Sequence, residues 1–178
     1  MCGIAAILYK NNVLNAPVGH HLVSMLQSLR HRGSDSTGVT IYSSNNKSKE
    51  LIIMLRITSF KYDKAVLKTN LTQLIQSQGS QIQEFNFTEN YIKLIITNIK
   101  NIKTLAEQIK SIDNLEIDSI GSNSQVIKDT GDAKDLDNKH HISQISGSHG
   151  IGHVRLATES IVDVTHSHPF WAYPFPDI

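Results

Sequence analysis

The chain has 178 residues, a formal net charge of +1 with its nine histidines neutral, 39% hydrophobic and 19% charged residues, and a single cysteine. That balance suits one average or two small globular domains, and the near-neutral charge supplies no field that favours nucleic acid or an anionic membrane as partner. One cysteine excludes an intrachain disulfide, Met1-Cys2-Gly3 lacks the basic and apolar regions of a secretory signal, and no apolar run approaches the roughly 20 residues of a membrane span, so the expected location is cytoplasmic.

Cys2 to Leu8, small and apolar with paired alanines, reads as a strand buried on both faces. Asn15 is a candidate N-cap with Pro17 in the first turn, and Val18, Leu22, Met25, Leu26 and Leu29 recur at helical spacing as far as Arg30. Arg32 to Gly38 is a polar, glycine-bounded loop, Val39 to Tyr42 the strand leaving it, and Ser43 to Lys49 a polar linker. From Glu50 the pattern is a strand (Leu51 to Thr58), a helix (Ala65 to Ile75, closing at Gly79), two strands around Thr88-Glu89-Asn90 (Ile82 to Phe87 and Tyr91 to Ile99), a helix (Leu105, Ile109, Ile112) and a strand (Leu115 to Ile120). This β-α-β-β-α-β order predicts an inserted ferredoxin-like domain. Lys128 to Lys139 reads as a second linker. In Gly150 to Leu156, alternation sets Ile151, His153 and Arg155 on one face and Gly152, Val154 and Leu156 on the other, so that Arg155 faces a site or solvent. The proline-punctuated aromatic tail, Pro169 to Pro176, reads as an ordered loop over an apolar surface.

Three segments could carry chemistry. Removal of Met1 would leave the Cys2 thiol and a free α-amine on one residue; the amine, with an ordinary pKa near 8, can serve as general base and then as general acid. Read alone, Cys2 fits a small apolar side chain opening a buried strand better than a nucleophile. Arg32-Gly33-Ser34-Asp35-Ser36-Thr37-Gly38 is either an exposed turn with side-chain-to-backbone bonds or a loop that holds the N-terminus. Arg155, near a strand end, is either a solvated arginine or a bidentate grip on a carboxylate, with the Thr158 hydroxyl nearby. His149, His153, His166 and His168 cluster in sequence, with His166 and His168 on one face of an expected strand, but no Cys-x-x-Cys or His-Glu-x-x-His accompanies them, which argues against a metal site.

Taken together, Met1-Cys2-Gly3-Ile4-Ala5-Ala6-Ile7, His31 to Gly38 and Gly152 to Thr158 resemble, in order, the opening of class II (Ntn-type) glutamine amidotransferases. Ala157-Thr158-Glu159-Ser160 with His166-Ser167-His168-Pro169-Phe170-Trp171 is most similar to archaeal-type glutamate synthase and N-methylglutamate synthase amidotransferase subunits. The resemblance implies an α+β protein: an Ntn-hydrolase αββα sandwich in part, from residues 1–48 and 146–178, with a ferredoxin-like domain and linker inserted at 49–145. It implies Cys2 as nucleophile, Arg155 and Thr158 as substrate-binding residues, and Arg32, Gly33 and Asp35 as support for the N-terminal loop. L-Glutamine is the implied substrate and a synthase-type subunit the implied partner. Cofactors are expected there, as flavin and iron–sulfur centres, and none in this chain. Family members continue to an Asn-Gly pair and an aspartate that are absent here, so the chain looks C-terminally short. The alternative is a non-catalytic regulatory subunit that binds a small molecule through the inserted domain.

Overall fold

The computed structural model describes residues 2–10, 15–43, 50–59, 62–157 and 162–178. In chain order the elements are β1 (Gly3–Leu8), α1 (Val18–Ser28), β2 (Ser36–Tyr42), β3 (Glu50–Ile57), α2 (Lys64–Ser77), β4 (Gln81–Thr88), β5 (Tyr91–Thr97), α3 (Ile102–Lys110), β6 (Leu115–Gly121), β7 (Ser124–Thr130), α4 (Ala133–His140) and β8 (His149–Arg155), an α+β arrangement. They fall into two compact units, residues 1–46 with 123–170 and residues 47–122 with 171–178. Among the described residues no helix is long and apolar enough to cross a membrane.

The first unit is built on an antiparallel sheet of order β1-β8-β2-β7. Val18, Leu22 and Leu26, one helical turn apart, are fully buried and carry α1 onto one face of that sheet. The helix sits close because β8 presents glycines to it: a Cβ on Gly150 would lie 2.8 Å from Leu22 Cδ1, and one on Gly152 2.5 Å from Leu26 Cδ1. Helix α4 packs against β7 and β2, and its first turn is closed by a capping box in which Asp132 accepts from the Asp135 N–H while the Asp135 carboxylate accepts from the Asp132 N–H.

The structure revises several expectations for this unit. Strand β1 is buried on one face only: Ile4 and Leu8 are 67% and 69% exposed, because Ile4, Ala6 and Leu8 point away from α1. Strand β2 starts at Ser36, so half of the expected Arg32–Gly38 loop is sheet, fully buried at Ser36 and Thr37. The expected linker at Lys128 to Lys139 is the end of β7 followed by α4, which moves the division of the chain from 145/146 to 122/123. Its polar side chains concealed it, since Lys128 and Asp129 are buried with partners instead of solvated. No strand carries His166 and His168; they follow a turn in which the Asp163 carboxylate accepts from the His166 N–H and the Thr165 hydroxyl.

The second unit is a sheet of order β4-β5-β3-β6 with helices α2 and α3. A strand lies between the two ends of each β-α-β crossover: β5 between β3 and β4, and β3 between β5 and β6. Alternation in β3 and β5 sends Leu51, Ile53, Leu55, Ile57, Ile92, Leu94 and Ile96 to the core, where they meet Leu67, Leu71 and Ile75 of α2 and Leu105 and Ile109 of α3. Asp63 and Asn101 cap α2 and α3 by accepting backbone N–H bonds. Trp171 and Tyr173 of the tail pack against this core, so residues 171–178 belong with the second unit.

Candidate active site

Cys2 directly precedes β1 and is exposed. In the β1–β8 ladder Gly3 is opposite Val154, so Cys2 and Arg155 are the next residues at the same end of the sheet. Arg155 is opposite Ser36 in β2, and Ser36 opposite Thr130 in β7. Cys2, Arg155, Ser36 and Thr130 therefore form one row across four strands. Residues opposite one another in an antiparallel ladder share a face. Gly150, Gly152 and Val154 take the α1 side, so this row points to the other side.

The Arg32–Gly38 segment closes the end of the sheet. The Asp35 carboxylate accepts from the Ala157 N–H at 2.7 Å, its N–H donates to the Arg155 carbonyl at 3.0 Å, and its carbonyl accepts from the Gly131 N–H at 2.9 Å. Asp35 thus ties β8, β2 and the turn after β7 together around Arg155. Gly33 is extended, and a Cβ there would lie 2.3 Å from the Arg155 carbonyl carbon, so glycine is required by close approach. Arg32 Cβ stands 3.3 Å from where a Gly3 Cβ would be, which sets Arg32 against the backbone next to Cys2. Thr158 lies outside the described residues. Arg155 itself is 9% exposed.

One strand repeat along the same face, about 7 Å away, the segment Ser167–Phe170 crosses the sheet over Gly38, where a Cβ would meet the His168 carbonyl oxygen at 2.1 Å. Lys128 donates to the Ser167 carbonyl at 3.3 Å and its ammonium sits 4.5 Å from the centre of the Phe170 ring. The His168 ring lies 4.9 Å from His153. Burial, the nearby His168 and the Arg155 charge all push the His153 imidazole below its ordinary pKa. His166 pairs with Asp163, whose carboxyl is held well below the usual range chiefly by the His166 N–H. Among the described residues no group of three or more histidines, cysteines or carboxylates is placed to hold a metal ion.

Cys2, Arg155, Arg32, Gly33 and Asp35 are thus brought to one sheet end from segments far apart in sequence, with Ser36 and Thr130 added by the strand pairing. Ser36 stood inside a noted motif, but only its ladder partner reveals its place; Thr130 carried no sequence signal. A shallow cavity of about 410 Å³ lies at the opposite end of the same face, lined by residues including Leu8, Tyr42, His149 and Ile151, and is separate from the row.

No protein-family model matches the chain. The whole chain is 32% identical to a Methanothermobacter thermautotrophicus protein named putative glutamine amidotransferase, of which it spans 59%. Over 96% of its length it is 28% identical to the Rhizobium meliloti glutamine amidotransferase-like protein GlxB, of which it spans 54%. The chain thus covers a little over half the length of these curated relatives. The similarity to these proteins, which are named as a glutamine amidotransferase and a glutamine amidotransferase-like protein, runs through both units of the chain.

Proposed function

We propose that the chain is the glutaminase part of a class II, N-terminal-nucleophile glutamine amidotransferase. The observation that carries this reading is the shared row of Cys2 and Arg155: a thiol at the mouth of a strand, one strand spacing from a cation that can grip a carboxylate through two N–H bonds. With Met1 removed, the Cys2 amine accepts the thiol proton and the sulfur attacks the side-chain amide carbon of L-glutamine held by Arg155, with Thr158 beside it. The amine returns the proton to the departing ammonia, leaving a γ-glutamyl thioester that water cleaves to glutamate. Arg32, Gly33 and Asp35 keep the N-terminal strand and the end of β8 in register.

In this reading the first unit is part of an Ntn αββα sandwich and the second an inserted ferredoxin-like domain. The ammonia passes to a glutamate-synthase-type partner in the cytoplasm. By resemblance to the glutamate-synthase subunits, flavin and iron–sulfur centres are assigned to that partner, and the single cysteine of this chain to catalysis. The test is intact mass after incubation with the diazo-ketone analogue of glutamine. One adduct on a Met1-free chain, absent from Cys2→Ser, is expected. A folded, Met1-free chain that stays unlabelled, in this form and extended to the relatives' length, would replace this reading with that of a non-catalytic binding subunit.

A further inference from the structure

Ser36 occupies the row between Arg155 and Thr130 and is 0% exposed, yet its Oγ has no hydrogen-bond partner among the described residues. A buried hydroxyl left unpaired is costly, and its retention calls for a group that it serves. We propose that Ser36 binds the α-carboxylate of the substrate amino acid alongside Arg155. This rests on the glutaminase reading and adds to it a ligand that neither sequence motif nor likeness assigns.

Charge selects the carboxylate over the substrate's ammonium group. The guanidinium across the ladder attracts an anion and repels a cation, and a serine hydroxyl can donate to the oxygen that Arg155 leaves available. Reach agrees. Ser36 is two strand spacings from Cys2, about 10 Å. The carbon chain of glutamine between its amide and its carboxylate spans about 5 Å when extended. An attack distance of about 3 Å at one end and a hydrogen bond of about 2.8 Å at the other cover the remainder. Because Ser36 Oγ is closed to solvent in this structure, binding includes a side-chain rearrangement, and the bond then forms in a low-dielectric setting where it is strong.

The experiment follows Cys2 modification by intact mass with two probes, the diazo-ketone analogue of glutamine, which carries the α-carboxylate, and iodoacetamide, which does not. For Ser36→Ala, modification by the first should slow about tenfold, modification by iodoacetamide should be unchanged, and the melting temperature should hold or rise, since an unpaired buried hydroxyl has been removed. Equal slowing with both probes, a lower melting temperature or failure to fold would make Ser36 a structural residue and overturn the proposal. An unchanged diazo-ketone rate would overturn it while leaving the glutaminase reading intact. Wild-type protein that reacts with iodoacetamide alone, both in this form and extended to the relatives' length, would remove the glutaminase reading and this proposal with it.

Discussion

At Gly33 a single hydrogen in place of a methyl group lets one backbone lie on another. The Arg155 carbonyl carbon would be 2.3 Å from a Cβ at that position, and backbone cannot yield as a flexible side chain can. Gly33→Ala should therefore destabilise the protein by about 1–3 kcal/mol in urea unfolding and slow Cys2 labelling by the glutamine analogue, because the overlap is relieved by shifting the end of β8. His153 makes a second residue-scale prediction. Burial first, then His168 and the Arg155 charge, lower its pKa from the ordinary 6.5, and Lys128 stands two strands away in the same row. The unfolded chain thus takes the proton before the folded one. Stability attributable to His153 is fully present above the ordinary value and is lost as the pH falls through the lowered one. Unfolding free energies measured between about pH 7 and pH 5 should fall on acidification, and His153→Gln should flatten part of that slope; an unaltered slope would exclude His153 as its source.

Strand β7 and helix α4 are held to each other by one carboxylate. Asp129 Oδ2 lies 3.1 Å from His140 Nε2 and 3.2 Å from Lys139 Nζ, and its Oδ1 accepts from the Thr130 N–H at 2.7 Å. Burial works against its ionisation, but the bonds from His140, Thr130 and Lys139 outweigh it and hold the carboxyl below the usual range. Asp129→Asn should cost about 2 kcal/mol at neutral pH. The wild-type advantage should be complete above the ordinary carboxylate pKa of 3.8 and vanish as the pH falls through the lowered value, which urea titrations at several pH values would show. These two elements are the ones that sequence patterning missed. Period and turn chemistry locate a strand whose buried face is apolar, as in β3 and β5. They fail where the burial is of Lys128 and Asp129, whose partners come from other elements. The amphipathic spacing of Val18, Leu22 and Leu26, by contrast, made α1 legible.

Each unit has its own layer of apolar contacts between sheet and helices, and in the second the opposite sheet face holds a buried ion cluster. Arg56, 4% exposed, pairs with Asp118 at 3.2 Å and with Glu116, and Asp118 also accepts from the Tyr91 hydroxyl. Burial alone would lower the Arg56 pKa; Asp118, Tyr91 and Glu116 reverse that and raise it. Arg56→Met should destabilise the protein by about 3–5 kcal/mol, because Asp118 would remain buried without its counter-charge. Replacing Asp118 by Asn in the same chain should recover part of that loss, and chemical unfolding of the two variants would show it. The order of elements from 50 to 121 was readable from alternation and helical period, since both follow from local backbone geometry. The residues of the candidate site were singled out by type and motif: a cysteine beside the initiator, a glycine-bounded polar segment and an arginine near a strand end. Their convergence was not readable, because it depends on which strands pair and in what register. One ladder places Cys2 at the level of Arg155, the next places Ser36 across from it, and Gly33 and Asp35 lock that end through backbone contacts more than 100 residues apart in sequence. Local sequence determines strands and helices through the geometry of neighbouring residues; only tertiary pairing decides which strand ends meet, because hydrogen bonds between distant segments set the register.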